Sequence, residues 1–576
     1  MGRRRIMISA MKKIVAGLLL SAAAAVAATT LSAQSKSFTV VETSIPDMQK
    51  AMREGKVTSH QLVEQYLVRI ALYNSRLNAV ITVNPKALEE ADRLDRERKA
   101  GKVRGPLHGI PIALKDNILT TDIRTTGGAI AFENLMPPYD ATLVRNLREA
   151  GAIIIAKTTL TELANFVAAG MPGNYNAVQG YGLNPYDPRR DPRQATADGR
   201  PVLNTGGSSS GVGTAANFWA VNVGTETSGS ILSPSNQNML AAIKPTVGRI
   251  SRYGVIPITA DQDTAGPMAK SVTDAAIFFG ALEGASPDPN DPATKTCQAP
   301  PNRDYTPFLK RDGLKGARIG IPRANFYDPL TLEGDKQPRG GLNEFQAKSM
   351  ADAIAVLKKE GAIVVDADIP SIVDKEPKNN FLLWGSCGGP GDVKGKDENC
   401  SYALKYGMKR DFNAFLNSLG AAAPVKTLAE LRAFNTAHAN RNAIKYGQAN
   451  LDVSDEMDLE KDRARWQSDR EKDIRLAATH GIDEVMKAQK LDALLFPGAN
   501  GAGIAARPGY PTVIVPFGLV TVVPPPNAPF PSGFTPSPAP FGVSFTGMAC
   551  SEPRLIELAY AFEQATKRRV PPPNLP

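Results

Sequence analysis

The sequence has 576 residues, 42% of them hydrophobic, so it can bury one large core or two ordinary ones. Its formal charge of +10 would fall by half without Arg3, Arg4, Arg5, Lys12 and Lys13 near the N-terminus. The remainder is close to neutral and has no basic run interleaved with aromatic residues, which argues against a nucleic-acid-binding surface.

The first 33 residues predict an export signal. A basic start is followed by an apolar stretch at 14–31, rich in Ala and Leu, and then by Ser32-Ala33-Gln34. We expect cleavage after Ala33, or alternatively after Ala27; the other interpretation of the stretch is an uncleaved membrane anchor. The mature protein, residues 34–576, is then expected to be periplasmic or secreted and free of the membrane once the signal is removed.

Next in chain order, residues 45–100 are predicted to be helical, because apolar residues recur three or four positions apart between Leu62 and Ile70. Thr58 and Ser59 offer an N-cap, and 87–99 is predicted to form a polar helix. A strand-like apolar run at 106–114 then leads to Lys115.

Helix and strand patterns alternate from there to about residue 285, which favours an α/β fold. A Pro-rich surface connection at 286–310 follows, then a mainly helical region at about 340–490 interrupted by a Gly-rich loop. We predict one large α/β/α layered domain around a central mixed, mostly parallel sheet. Its parts are N-terminal helices at 40–100, a core at 101–285, the helical region, and C-terminal strands and a helix at 491–567.

Four cysteines in an exported chain permit disulfides, and Cys387 and Cys400 are the pair we favour because they flank a loop rich in Gly and charge. The alternative is free, buried thiols. Neither the cysteines nor the four scattered histidines have the spacing of metal ligands, so we expect no metal and no cofactor.

Two serine clusters lie close together in a chain that is poor in histidine. They read Gly-Gly-Ser-Ser-Ser-Gly at 206–211 and Gly-Thr-Glu-Thr-Ser-Gly-Ser at 224–230. A serine is a weak nucleophile until a neighbouring base takes its proton. Lys115, at the abrupt end of the apolar run in Pro-Ile-Ala-Leu-Lys-Asp-Asn (111–117), is a better candidate base than any histidine, and the three segments together suggest a Ser-Ser-Lys hydrolase.

Other interpretations of the serine clusters exist. The first cluster alone is typical of a flexible linker. It also contains Gly-x-Ser-x-Gly, which would make Ser209 the nucleophile of an α/β-hydrolase, but His438 and His480 lie in charged helical stretches without a supporting motif. Gly211 and Gly213 imitate a dinucleotide fingerprint that lacks its acidic partner.

The chain resembles the amidase signature family over roughly 40–570. The segments that carry the resemblance follow the family order: 106–117, 125–128, 140–144, 150–158, 184–186, 206–211, 224–231, 243–248 and 263–268. Gly-Thr-Glu-Thr before Ser230 and Gln262-Asp263-Thr264 after it are most similar to bacterial peptide-amidase-like members.

The resemblance implies a Ser-cisSer-Lys triad. Ser230 would be the nucleophile, Ser208 the bridging serine held by a cis peptide, and Lys115 the base. Lys115 can act as a base only if burial lowers its pKa well below the ordinary value of about 10.4. The backbone N–H groups of Thr227, Ser228 and Gly229 would form the oxyanion hole.

The sequence departs from the family pattern at several positions. The spacing from Ser208 to Ser230 is two residues shorter than expected, so Ser209 remains an alternative to Ser208 as the bridging serine. Ser228 stands where the family usually has Gly or Asp. Leu232 stands where many members have Arg, which suggests a neutral or apolar acyl group, and an insertion-like loop at 189–203 could shape the mouth of the site.

The implied reaction is hydrolysis of a carboxamide C–N bond through an acyl-enzyme, giving an acid and ammonia or an amine. The expected partner is a small-molecule or peptide amide, and the sequence does not determine the oligomeric state. An esterase, or a catalytically silent binding protein on the same scaffold, is the alternative.

Overall fold

The structure is a computed structural model that describes residues 38–194, 198–206, 210–388 and 398–575. The chain divides into two compact units, Met1–Thr39 and Val40–Pro576, and the second is described below. The predicted export signal at 1–33 lies outside the described residues. In the part of the chain that is described, no helix combines the length and apolarity needed to cross a bilayer.

An eleven-stranded mixed sheet forms the centre of the second unit, in the order β1-β3-β2-β6-β8-β7-β14-β15-β13-β9-β10. The strands of the chain are β1 (Val80–Val83), β2 (Pro111–Lys115), β3 (Ile153–Thr158), β4 (Tyr175–Asn176), β5 (Gly180–Tyr181), β6 (Val221–Glu226), β7 (Ala241–Lys244), β8 (Thr264–Ala269), β9 (Arg318–Ile321), β10 (Ile363–Asp366), β11 (Gly385–Ser386), β12 (Cys400–Ser401), β13 (Ala493–Pro497), β14 (Thr512–Val520) and β15 (Ala539–Thr546). The predicted α/β class and mixed central sheet are confirmed.

Parallel pairing occurs in two groups, β3-β2-β6 and β13-β9-β10. The strands between these groups, and the edge strand β1, pair antiparallel. Strands β2, β3 and β6 are buried along their whole length, including the polar residues at their carboxyl ends. Because carboxyl ends of parallel strands meet at one edge, the residues that end β2 and β6 come together there.

Helices pack against this sheet, α7 on β7 and β8, and α8 and α16 on β14. The helices are α1 (Ile45–Arg53), α2 (Ser59–Leu77), α3 (Ala87–Lys99), α4 (Thr142–Glu149), α5 (Gly211–Ala215), α6 (Leu232–Gln237), α7 (Val272–Leu282), α8 (Glu344–Lys359), α9 (Pro370–Val373), α10 (Ala403–Ser418), α11 (Leu428–Ala437), α12 (Ala449–Asp455), α13 (Arg463–Ile474), α14 (Asp483–Gln489), α15 (Ala502–Ala506) and α16 (Glu552–Thr566), with a π-helical stretch at Arg475–Ile482.

The N-terminal helical prediction is correct for α1, α2 and α3 but misses a strand. Thr58 begins α2 through a capping box with Gln61, as the sequence predicts, and α3 has the predicted bounds. Asn78, in the left-handed conformation at φ 53°, ends α2, and the β-branched run Val80–Val83 then adds β1 to the sheet edge. The predicted strand at 106–114 begins only at Pro111, because the residues before it form turns.

Two disulfides are present. Cys387 bonds Cys400, as predicted, and Cys297 bonds Cys550, with Cα–Cα distances of 5.0 and 5.5 Å. The alternative of free thiols is therefore wrong. The second bond connects positions 253 residues apart, which sequence spacing could not indicate.

Candidate active site

Lys115 ends β2 and its side chain is fully buried. Its Nζ donates hydrogen bonds to Thr225 Oγ1 at 2.8 Å and to the Thr225 carbonyl at 3.2 Å. Asn117 Nδ2 donates to the same hydroxyl at 3.0 Å. The parallel pairing of β2 with β6 accounts for this contact, since it places the ends of the two strands side by side.

The burial of Lys115 changes its acid–base chemistry. Loss of hydration lowers the pKa of its ammonium group to about 7, while the carboxyl groups of Asp263 and Glu226 act in the opposite direction. An ordinary lysine is almost entirely protonated near pH 7. Lys115 therefore meets the requirement stated for it from the sequence, that it be uncharged part of the time.

The second serine cluster, 224–230, includes the end of β6 and continues into the turn between Glu226 and α6. Glu226 Oε2 accepts hydrogen bonds from the Ile231 and Leu232 N–H groups at 2.7 and 3.0 Å, which closes the intervening residues into a turn. Ser230 lies in this turn and is buried, 8% exposed. Gly229 adopts φ +85°, a conformation that favours glycine.

The predicted oxyanion donors, Thr227, Ser228 and Gly229, occupy the first part of the turn. Gln262 Nε2 donates to the Thr227 carbonyl at 3.1 Å, and Thr227 Oγ1 donates to Asp263 Oδ1. Among the described residues, the three N–H groups find no hydrogen-bond acceptor of their own. Their role as oxyanion donors stays a prediction.

The first serine cluster is described only at its flanks. Ser208, its alternative Ser209 and the predicted cis peptide lie outside the described residues. A Cβ added at Gly206 would lie 2.3 Å from Pro234 N, and one added at Gly211 would lie 3.1 Å from Pro234 O. Both ends of the cluster therefore approach α6, the helix that follows Ser230.

A second buried lysine supports the loop that continues from Lys115. Lys157 Nζ lies 3.2 Å from Asp116 Oδ1 and donates to Ile118 O and Thr125 Oγ1, both at 2.7 Å. Burial lowers the pKa of Lys157 and raises that of Asp116. This pair was not singled out from the sequence, where a buried lysine next to a strand end is hard to distinguish from a solvated one.

Two further contacts were missed by sequence reasoning, those of Thr225 with Lys115 and of Thr227 with Asp263. Both threonines belong to the Gly-Thr-Glu-Thr motif, so a signal was present. The motif alone does not reveal the strand order, which places β8 and its preceding loop beside β6.

The Ser–His alternative finds no support in the described residues. His438 Nδ1 contacts the Phe434 carbonyl, and His480 forms ion pairs with Asp374 and Glu484. Neither has a hydrogen bond to a described serine. The described residues also contain no cluster of three or more His, Cys, Asp or Glu arranged to hold a metal ion.

The insertion-like loop at 189–203 packs on the Pro-rich segment at 524–540. Arg189 lies over the Phe534 ring at 4.4 Å and Arg193 over the Phe530 ring at 4.6 Å. The loop is thus held by cation–π contacts along its first half.

Comparison with known proteins agrees with the fold. A family model described as "Amidase" matches residues 61–556. A protein of Arabidopsis thaliana named "Probable amidase" is 36% identical over 553 residues, which cover 93% of each chain. The chain therefore belongs to the amidase family.

Solved amidase structures are similar to this chain over nearly its whole length. The native peptide amidase of Stenotrophomonas maltophilia has a TM-score of 0.75 and 36% identity, covering 92% of this chain and 98% of that one. A peptide amidase in complex with the competitive inhibitor chymostatin gives the same score and identity, covering 92% and 99%. An amidase family protein from Bacillus anthracis has a TM-score of 0.74 and 30% identity, covering 92% of each. The protein is an amidase that hydrolyses amide bonds.

Proposed function

We propose that this amidase works through a Ser230–Ser208–Lys115 triad and a covalent acyl-enzyme. The observation that carries the proposal is Lys115 itself, a fully buried lysine with a pKa near 7 beside the strand that leads into Ser230. Its contact with Thr225 fixes the amine at the edge of the sheet where the serine turn begins.

We propose the following reaction. Neutral Lys115 accepts the Ser208 hydroxyl proton as Ser208 accepts that of Ser230, and Ser230 Oγ attacks the amide carbonyl carbon. The resulting oxyanion accepts hydrogen bonds from N–H groups of the Thr227–Gly229 segment. Ser208 returns a proton to the leaving nitrogen and regains one from Lys115, the C–N bond breaks, and water hydrolyses the acyl ester by the same route. Ser209 is the alternative for the bridging role.

The substrate proposed is an amide with a neutral or apolar acyl group, such as a peptide C-terminal amide. Leu232, at the position where many relatives have Arg, is buried with Leu240 and Ala502 and offers no cation to a substrate carboxylate. The structural relatives named peptide amidases, one of them bound to chymostatin, support the peptide amide.

Ammonia or amine release from a panel of amides tests the proposal. The panel contains a peptide C-terminal amide, an alkyl amide, an anilide and a long-chain amide. Ser230→Ala and Lys115→Ala should abolish turnover, while Ser233→Ala, in the helix that follows Ser230, should retain it. Full activity in either triad variant would disprove the assignment.

The same assays also exclude the two alternatives considered from the sequence, an esterase and a catalytically silent binding protein. Matched ester and amide substrates separate the first, because an esterase would hydrolyse only the ester at a useful rate. Binding of an amide without any turnover by the wild-type protein would favour the second.

We also propose that the protein is exported to the periplasm or beyond the cell. The basic, then apolar N-terminal sequence supports this, and so do two disulfides, since such bonds persist in oxidising compartments. N-terminal sequencing of protein recovered from the periplasm and medium should find a start at Gln34. An intact N-terminus on membrane-bound protein would contradict the proposal.

A further inference from the structure

The loop before β8 reaches into the candidate active site through one carboxyl group. Asp263 Oδ1 accepts the hydroxyl hydrogen bond of Thr227, the first residue of the serine turn. Asp263 Oδ2 accepts from the Ile258 and Thr259 N–H groups at 2.8 and 2.9 Å. Both oxygens are therefore in use, one toward the turn and the other toward the loop that carries Asp263.

The same turn is held from the neighbouring position, because Gln262 Nε2 donates to the Thr227 carbonyl. Thr227 is thus bonded on its hydroxyl and its carbonyl, while its N–H stays free among the described residues. This arrangement fixes the peptide planes at the start of the turn without using the donors that would face an oxyanion.

We propose that Asp263 is a positioning residue of this active site, which holds the Thr227 end of the oxyanion segment through the Thr227 hydroxyl. The inference rests on the proposed function, in which Lys115 is the base and this segment binds the oxyanion.

The charges around both groups are few. Lys115 experiences the carboxyl groups of Asp263 and Glu226, which raise its pKa against the effect of burial. Asp263 lines a cavity of 260 Å³ together with Arg252 and Asp411, and burial raises its own pKa to about 7. Arg252 lowers the pKa of Asp263, and Asp411 raises it.

Because burial raises the pKa of Asp263 to about 7, the carboxyl group is partly neutral near that pH, and its role depends on its hydrogen bonds. In Asp263→Ala the Thr227 hydroxyl loses the acceptor that it has in Asp263. We expect kcat to fall about tenfold with little change in KM, because misplaced oxyanion donors affect the transition state. A residue that only supports the fold would lower the yield or the melting temperature and leave kcat of the folded enzyme in place.

Removal of the contact alone should have the same effect. Thr227→Val keeps Asp263 but deletes the hydroxyl that it holds. We expect a similar fall in kcat with little change in KM, and Thr227→Ser, which restores the hydroxyl, should recover most of it. Wild-type kcat in Thr227→Val would overturn the positioning role, even if Asp263→Ala failed to fold.

The experiment measures amide turnover of these variants alongside the rate at which a fluorophosphonate labels Ser230. Asp274→Ala is the matched control, since Asp274 is a buried carboxyl of α7 that accepts the Ile45 N–H, and its kcat should match wild type. Labelling of Lys115→Ala at the wild-type rate would disprove the base and hence the proposed function. If Lys115→Ala is slow and kcat is unchanged in Asp263→Ala and Thr227→Val, the triad survives and the inference about Asp263 is wrong.

Discussion

A substitution at Thr225 tests how Lys115 is positioned. Its buried hydroxyl accepts hydrogen bonds from Lys115 Nζ at 2.8 Å and Asn117 Nδ2 at 3.0 Å. Thr225→Val keeps the shape of the side chain and removes both bonds, leaving the Asn117 donor without this partner. Since a net hydrogen bond contributes about 1 kcal/mol and a buried unsatisfied donor costs about 1–3 kcal/mol, we expect the unfolding free energy to fall by about 2 kcal/mol.

The effect on catalysis should be larger than the effect on stability. In Thr225→Val, Lys115 loses its 2.8 Å bond to the hydroxyl; among the described residues it keeps the 3.2 Å bond to the backbone carbonyl, and its amine can move. A displacement of about 1 Å at a reacting group costs on the order of a hundredfold, so we expect kcat to fall by about that factor.

Steady-state turnover of a peptide amide and denaturant unfolding measure the two effects. Thr225→Ser is the matched control, because it restores the hydroxyl and should recover most of kcat. Wild-type kcat in Thr225→Val, with the fold intact, would refute the view that this hydroxyl holds the base.

Three other outcomes are expected. Lys115 accepts a proton only when it is neutral, and its pKa is about 7. We therefore expect kcat/KM to fall about tenfold per pH unit below pH 7 and to level off above it. A rise in kcat/KM that continues through pH 9 would contradict this. Cys297→Ser removes a disulfide that joins residues 253 positions apart and should lower the unfolding free energy by about 5 kcal/mol. Cys387→Ser removes one that joins residues 13 positions apart and should lower it by about 3 kcal/mol. Equal losses in denaturant unfolding would refute the loop-length argument. Gly206→Ala should lower soluble yield and melting temperature far more than Gly170→Ala, since both have positive φ but only the first places a Cβ against α6; similar behaviour would contradict the close approach.

Much of the fold could be predicted because its signals are local. The buried strand at Ile153–Thr158 begins with the apolar run 152–156, and α3 is a polar helix that has the bounds predicted from the sequence. Strand β15, at Ala539–Thr546, was not predicted, because it follows a Pro-rich stretch and gains its order from pairing with β14 and β13. Pairing partners distant in sequence leave no local trace.

The candidate site likewise has residues that the sequence could predict and contacts that it could not. Lys115 and Ser230 stand in recognisable motifs, so their positions could be proposed before the fold was known. The contact of Thr227 with Asp263 joins residues 36 positions apart and depends on the antiparallel pairing of β6 with β8. The depressed pKa of Lys115 likewise required its burial to be seen, since the sequence could state only that burial was needed.

Direct observation of the acyl-enzyme is the measurement that tests the account most directly. The wild-type protein is mixed with a slowly hydrolysed anilide, quenched in acid, digested and mapped by mass spectrometry. The account predicts an adduct with the mass of the acyl group on the peptide that contains Ser230, and its loss in Ser230→Ala and Lys115→Ala. An adduct on Ser208 or Ser209 instead, or turnover without any adduct under conditions that trap acyl esters, would contradict it.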